Sequence, residues 1–157
     1  MIASIRDGRL TRFYSYWLER KGDRRFPARR DIDPLDFPYL LGHVMMFDVL
    51  SHPPHFRVRL HGAKLTTRAH YDLTGKLLDE MPDAEQRAVV MDRCESLITS
   101  GEPLVIRRAR ILDGASRAYE ALWLPFSEDG DHVTLLLCAM IYENDRMLGS
   151  PHQFSRV

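Results

Sequence analysis

The sequence contains few cysteines and has no surplus of either charge. Its 157 residues include two cysteines, Cys94 and Cys138, and no CxxC pair, which excludes the common thiolate zinc and dithiol redox motifs. Lys plus Arg and Asp plus Glu both number 22, so no overall field directs the chain towards nucleic acid or an anionic membrane. We therefore expect no nucleic-acid partner.

Long apolar runs are missing as well. No apolar stretch reaches the roughly 18 residues that a membrane span needs, and the opening MIASIRDGRL has no hydrophobic core of the signal-peptide kind. Walker, nucleophile-elbow and glycine-rich dinucleotide motifs are also absent. With 45% hydrophobic and 28% charged residues, the composition is that of one globular domain. These absences predict a soluble, reduced, cytoplasmic protein without membrane insertion.

Residues 1–42 are predicted to form an N-terminal region that packs on the rest of the domain. Between Gly8 and Gly22, apolar residues recur at helical spacing and predict an amphipathic helix. Its aromatic stripe consists of Leu10, Phe13, Tyr14, Trp17 and Leu18. A basic run over residues 20–30 is followed at once by Asp31, Asp33 and Asp36, which indicates a segment that pairs with itself rather than with phosphates.

Five segments have the pattern of strands: residues 43–50, 55–61, 104–112, 118–126 and 132–142. The first and last are apolar on both faces, as in the middle of a sheet, whereas the second alternates, as at an edge. Its apolar face would hold Phe56, Val58 and Leu60, and its polar face Arg57, Arg59 and His61. This contrast predicts an antiparallel sheet of order 2-1-5-4-3.

Small helices and one long helix are predicted between the second and third strands. After Gly62 the alternation stops, and short polar pieces continue to Thr74-Gly75. The long helix is predicted over residues 82–100, between Pro82 and Gly101. Short pieces can curve around a cavity, whereas one helix on a small sheet covers only a stripe. We expect an α+β fold with these helices on one face, a core over residues 43–144 and a tail over 145–157.

Three segments resemble, in order, the stand-alone PAS-like family common in alphaproteobacteria: YWLERKGDRRFPARRDIDP from residue 16, FRVRLHG followed by DLTGKLLDEM from residue 56, and LWLPFSEDGDHV from residue 122. The resemblance implies a PAS fold whose small helices enclose a ligand cavity. It also implies a sensory role, with the output passing through an unidentified signalling protein. PAS relatives commonly dimerise through a helix before the sheet. A homodimer is therefore expected, with Leu10, Phe13, Tyr14 and Trp17 as interface candidates.

The cavity is expected to be modest and mostly apolar. Its candidate ligand-binding residues are Tyr71, Val90, Cys94, Arg107, Tyr119 and Trp123. The alternative, that the aromatic members are ordinary core or interface residues, is the favoured interpretation. Arg107 either caps a buried acid or lies at an exposed strand edge; the edge is favoured, although an arginine at a cavity mouth would suit a carboxylate or phosphate.

No cofactor is identified by the sequence. Haem-binding PAS domains use a helical histidine, and His70 lies on a predicted helical fragment, but a solvent-facing or hydrogen-bonded histidine is the favoured interpretation. Photo-adduct flavin chemistry is excluded by resemblance, because its cysteine motif is missing between Gly62 and Met81. No metal site is expected: His52 and His55 have no carboxylate or cysteine nearby in sequence.

Three functions are compatible with these features. The first is a regulatory PAS module, without enzymatic activity, that binds a small molecule or a partner protein. The second is an interaction module whose cavity is filled by its own side chains. The third is a small isomerase-like or hydratase-like enzyme on a cone-shaped α+β fold, which would need a buried carboxylate or histidine with a perturbed pKa. The mostly apolar inward faces argue against the enzyme.

Overall fold

The structure is a computed structural model that describes residues 4–51 and 55–145. Its α-helices are α1 (Gly8–Lys21), α2 (Ala63–Ala69) and α3 (Ala84–Ser100). Its strands are β1 (Val44–Val49), β2 (Phe56–His61), β3 (Leu104–Leu112), β4 (Ala115–Phe126) and β5 (Leu135–Tyr142). Short 3-10 helices cover Arg29–Asp31, Pro34–Asp36, Pro38–Leu40 and Leu78–Glu80.

The five strands form one antiparallel sheet of order β2-β1-β5-β4-β3, which confirms the predicted α+β fold and strand order. The central β5 is buried along its whole length, as the apolarity of both its faces predicts. A tight turn at Asp113-Gly114 joins β3 to β4, and both residues have positive φ angles of 52° and 75°. Such a turn matches the twist of the two strands, so the edge strand β3 pairs with β4 along its whole length.

The alternation predicted for β2 is interrupted, and this is a correction. Met46 pairs with Leu60, but its neighbour Phe47 pairs with Val58, so Arg59 is the extra residue of a bulge. Beyond the bulge the faces exchange: Leu60 is 41% exposed, whereas His61 is buried. The bulge therefore turns His61 towards the core, where the uninterrupted pattern had placed Leu60.

One face of the sheet is covered by α2, the 3-10 helix Leu78–Glu80 and α3. Asp83 caps α3, because its Oδ1 accepts a hydrogen bond of 3.1 Å from the Gln86 amide. Gly101 ends the helix with a φ of 68°, which glycine adopts without strain. Val90, Cys94 and Leu97 point from α3 into the core on this face. The face of the sheet under these helices is called the front face below.

The opposite, back face is covered by α1 and the segment that follows it. Leu10, Phe13 and Trp17 are buried there, and the Trp17 Nε1 donates a hydrogen bond of 3.1 Å to the Pro125 carbonyl. This arrangement corrects the expectation that Phe13 and Trp17 contact a second copy, because both side chains are already buried against the chain's own sheet. Tyr14 is half-buried beside Trp17. The homodimer itself stays a prediction.

The charged segment after α1 folds back on itself, as its pattern of charges predicted. Arg24 lies 2.9 Å from Asp31, and Arg20 lies 3.3 Å from Asp36. These basic side chains are thus neutralised by near neighbours. Within residues 4–51 and 55–145, no helix combines the length and apolarity needed to cross a bilayer. The proposed boundaries at residues 42 and 144 stay predictions, and residues 146–157 of the predicted tail lie outside the described part.

Candidate functional site

A small cavity, called the inner chamber, lies between the front face of the sheet and the helices. Its volume is about 20 Å³, room for roughly one water molecule. It is lined by Met45, His61, Leu65, Tyr71, Met81, Gln86, Val90, Arg110, Trp123, Cys138, Met140 and Tyr142. Most of this lining is apolar, but several polar side chains converge at one end.

Arg110 of β3 is the centre of that polar end. Its side chain is 12% exposed, and its Nη2 donates to the Tyr71 hydroxyl at 2.9 Å and to Asp83 Oδ2 at 3.1 Å. Its Nη1 lies 3.5 Å from the Tyr142 hydroxyl, at the limit of a hydrogen bond. Its Nε is buried and has no partner among the described residues. A permanently charged group is therefore held at the chamber wall with part of its donor capacity unused.

His61 supplies a second polar group. The Leu73 amide donates to its Nδ1 at 3.1 Å, so a neutral ring carries its proton on Nε2. Burial lowers the pKa of His61; the carboxylate of Asp72 opposes this effect, and the charge of Arg110 adds to it. The ring is thus neutral near pH 7 and presents one N–H donor.

A larger depression, called the outer groove, borders the same polar end. Its volume is about 300 Å³, and its lining is Asp83, Glu85, Gln86, Val89, Arg108, Ala109, Arg110, Ile111 and Ser116. Gln86 and Arg110 line both spaces, so they stand between the inner chamber and the groove. Burial raises the pKa of Asp83, but hydrogen bonds from the Gln86 amide and Arg110 outweigh it and leave that pKa below its ordinary value. Asp83 is therefore ionised at neutral pH.

Three of the predicted pocket residues, Tyr71, Val90 and Trp123, line the inner chamber. Cys94 is fully buried in the same front-face core but does not reach the chamber, and burial raises the pKa of its thiol well above the ordinary value. Tyr119 packs edge-on against Tyr142, with 5.6 Å between ring centroids, and also lies outside the chamber lining. Whether the three lining residues contact a ligand stays a prediction.

Arg107 is placed on the other side of the sheet, which corrects its assignment to the pocket. Its Nε donates at 2.8 Å to Glu120, a carboxylate only 8% exposed, and it also hydrogen-bonds the Ser4 carbonyl. Glu120 in turn accepts from the backbone amides of Arg6 and Asp7. Arg107 thus caps a buried acid, the less favoured of its two interpretations, and holds the N-terminal segment. It lines a back-face groove of about 560 Å³ together with Tyr119.

Three polar residues of the site, Arg110, His61 and Asp83, were not predicted from the sequence. Arg110 shares a face of β3 with Leu104, Ile106, Arg108 and Leu112, so alternation alone does not single it out. His61 could not have been found in this way either, because the bulge reverses its direction. Asp83 falls in the first turn of the helix predicted over residues 82–100, and that position does not reveal a buried arginine as its partner. Together these groups offer one fixed positive charge and several hydrogen-bond donors, which is a binding arrangement.

The histidine considered for haem lies elsewhere. His70 ends α2 in the left-handed region at φ 65°, is exposed, and its Nε2 lies 2.6 Å from Asp113. It does not line the inner chamber. Among residues 4–51 and 55–145, no group of three histidine, cysteine or acidic side chains could hold a metal ion. His52 lies outside this range.

Several solved structures are similar in fold. The structure of VqmA bound to DPO has a TM-score of 0.54 and 16% identity, over 68% of this chain and 55% of that one. The PAS domain of histidine kinase ThkA has a TM-score of 0.48 and 14% identity, over 62% and 95%. The Rhodobacter sphaeroides LOV protein has a TM-score of 0.47 and 12% identity, over 64% and 59%. This chain thus spans just over half the length of the VqmA chain.

No curated protein matches the sequence. A family model described as PAS domain matches residues 6–141, which include α1, the first four strands and all but the last residue of β5. The match covers most of the chain, and the 2-1-5-4-3 sheet with its helices on the front face agrees with it. The chain belongs to the PAS domain family.

Proposed function

We propose that the chain is a sensory or regulatory PAS module that binds a small molecule between the sheet and its front-face helices. The binding site would comprise the inner chamber and the outer groove, which meet at Gln86 and Arg110. The module would have no enzymatic activity, would use neither haem bound through His70 nor photo-adduct flavin chemistry, and would pass its state to a signalling protein. Its cytoplasmic location, its homodimeric state and its place in the stand-alone alphaproteobacterial family belong to the same proposal.

The observation that carries this proposal is the polar end of an otherwise apolar core. Removing polar and charged groups from water is unfavourable, and buried ion pairs are often less stabilising than apolar residues of similar volume. Arg110, Tyr71 and His61 therefore gain little for the fold by meeting at this point. A cavity with a few convergent polar groups is the usual form of a small-molecule site.

A second candidate is an interaction module that binds no ligand. The small volume of the inner chamber favours it, because about 20 Å³ cannot enclose a metabolite unless side chains move. Tyr71 is the chamber residue best placed to move. It is half-buried in the stretch between α2 and the 3-10 helix Leu78–Glu80, outside regular secondary structure. Its displacement would join the chamber to solvent.

Native mass spectrometry of the protein purified from cells tests the proposal. We expect a mass above that of the chain, which disappears after denaturation and refolding. Val90→Phe, which adds volume to the chamber wall, should remove the bound mass while the variant still folds. A wild-type protein that carries no bound mass, and whose melting temperature no metabolite mixture raises, would instead support the interaction module.

A further inference from the structure

The polar end of the site has more hydrogen-bond donors than acceptors. Tyr71 and Tyr142 both accept from Arg110, which leaves their own O–H hydrogens to donate, and no described residue accepts from either. The Nε of Arg110 is unpaired, and the Nε2–H of a neutral His61 has no acceptor among the described residues. None of these four donors has an acceptor among the described residues; the Arg110 Nε is buried, whereas Tyr71 is only half-buried and can donate to water. An occupant that satisfies them must itself be rich in acceptors.

The one acidic partner of Arg110 lies at the solvent side of the site. Asp83 contacts Arg110 through a single oxygen at 3.1 Å, and its side chain is about one-third exposed in the outer groove. A single-oxygen contact does not use the two-pronged geometry that guanidinium groups offer to carboxylates. A ligand carboxylate in the groove can therefore make a better match with Arg110 than Asp83 does.

We propose that the ligand is a small carboxylate that binds Arg110 at the junction of the outer groove and the inner chamber, and displaces Asp83. The inference rests on the proposed function and names its ligand class. The ligand's carboxylate would enter the polar end of the inner chamber, and the rest of the molecule would lie in the outer groove, against Val89 and Ile111. The volume of about 300 Å³ there accommodates a body that the inner chamber does not.

Displacement of Asp83 from Arg110 would change the contacts of the first turn of α3. The same carboxylate caps the helix through its other oxygen, which accepts from the Gln86 amide at 3.1 Å. Arg110 thereby ties the edge strand β3 to the first turn of α3. A ligand that takes over Arg110 releases this tie and leaves Asp83 as a cap only. The first turn of α3 is thus the segment that reports occupancy of the site.

An NMR titration of backbone amides with propionate tests the inference, with propionamide as the uncharged isostere and ionic strength and pH held constant. In the wild-type protein, propionate should shift the amides of Glu85, Gln86 and Arg110 and should bind at least about tenfold more tightly than propionamide, because hydrogen bonds to charged groups are the stronger ones. Equal binding of the two probes would overturn the proposal without any variant being needed.

Two variants sharpen the test. Asp83→Asn keeps a good helix cap but removes the competing charge, so propionate should bind up to about fivefold more tightly. Arg110→Gln should weaken propionate binding at least about tenfold, and Arg110→Lys, which keeps the charge but loses the planar fork, should weaken it in the same direction. Arg57→Gln, on the exposed face of β2, is the control and should bind as the wild type does.

The outcomes separate the ligand class from the function. If the protein carries a co-purified mass but binds propionate no more tightly than propionamide, the carboxylate class of the ligand is refuted and the small-molecule site stands. Tighter binding in Arg110→Gln, or unchanged binding in Asp83→Asn together with no shift at Gln86, would refute the displacement. If the protein binds no propionate and carries no co-purified mass, both proposals are refuted.

Discussion

Replacing Phe13 by alanine tests whether α1 is a cover for the back face of its own sheet. Phe13 is 0% exposed and meets Phe37 edge to face, with 4.8 Å between ring centroids. Truncation of a fully buried phenylalanine costs about 3–5 kcal/mol, the lost transfer free energy plus the cavity that remains. Domains of this size have a free energy of unfolding of about 5–15 kcal/mol, so the variant should still fold but with much lower stability.

Urea unfolding followed by circular dichroism measures this loss. We expect the free energy of unfolding of Phe13→Ala to fall by about 3–5 kcal/mol, with the same loss at 5 and 100 μM protein (about the range such assays cover), because the contact lies within one chain. Leu18→Ala on the same helix is the matched control. Leu18 is 40% exposed, so its truncation should cost less than about 1.5 kcal/mol.

Two results would refute the reasoning. A loss below about 1 kcal/mol for Phe13→Ala would mean that α1 does not seal the back face. A loss that shrinks as the protein is diluted would mean that Phe13 acts in an interface between copies, because only the associated wild type is stabilised by such a contact.

Three further predictions concern other parts of the chain. Glu120→Gln should lower the free energy of unfolding by about 1.5–3 kcal/mol in urea, because Glu120 accepts from Arg107 and from the Arg6 and Asp7 amides; an unchanged value would contradict that tie. Because the folded-state pKa of His61 is lowered, the unfolded state binds more protons just below pH 6.5, so the free energy of unfolding should fall from about pH 7 to 5. His61→Gln should flatten this slope by up to about 1.4 kcal/mol per pH unit, and an unchanged slope would contradict the prediction. Sedimentation at high micromolar concentration should give a homodimer, and a monomer would refute that expectation.

The fold could be predicted from the sequence because its strands differ in how many faces they bury. The segments that became β1 and β5 are apolar on both faces and could only be central, while β2 and β3 carry arginines that suit edges. Glycine and proline positions then fixed the ends of α1 and α3 to within two residues. Burial therefore decided the topology, and burial is visible in the sequence.

The site could not be predicted to the same depth. An edge strand such as β3 has apolar residues on both faces, so its alternation does not show which face meets the helices. The predicted pocket therefore included Arg107, whereas Arg110 is the arginine that lies there. His61 reversed direction because Arg59 forms a bulge, an irregularity of pairing rather than of composition. The sequence likewise did not show which surface the aromatic stripe of α1 packs against, since the sheet of the same chain and a second copy offer it similar apolar surfaces.

Methionine methyl groups provide the most direct measurement of the central claim, that a small molecule binds on the front face of the sheet. Met45, Met81 and Met140 line the inner chamber, whereas Met46 lies in the back-face core and serves as an internal control. The small-molecule fraction released from denatured, purified protein would be added to refolded protein labelled with ¹³C at the methionine methyl groups. The account predicts that the three chamber resonances shift while that of Met46 stays in place. No shift at the chamber methionines, or an equal shift at Met46, would contradict it.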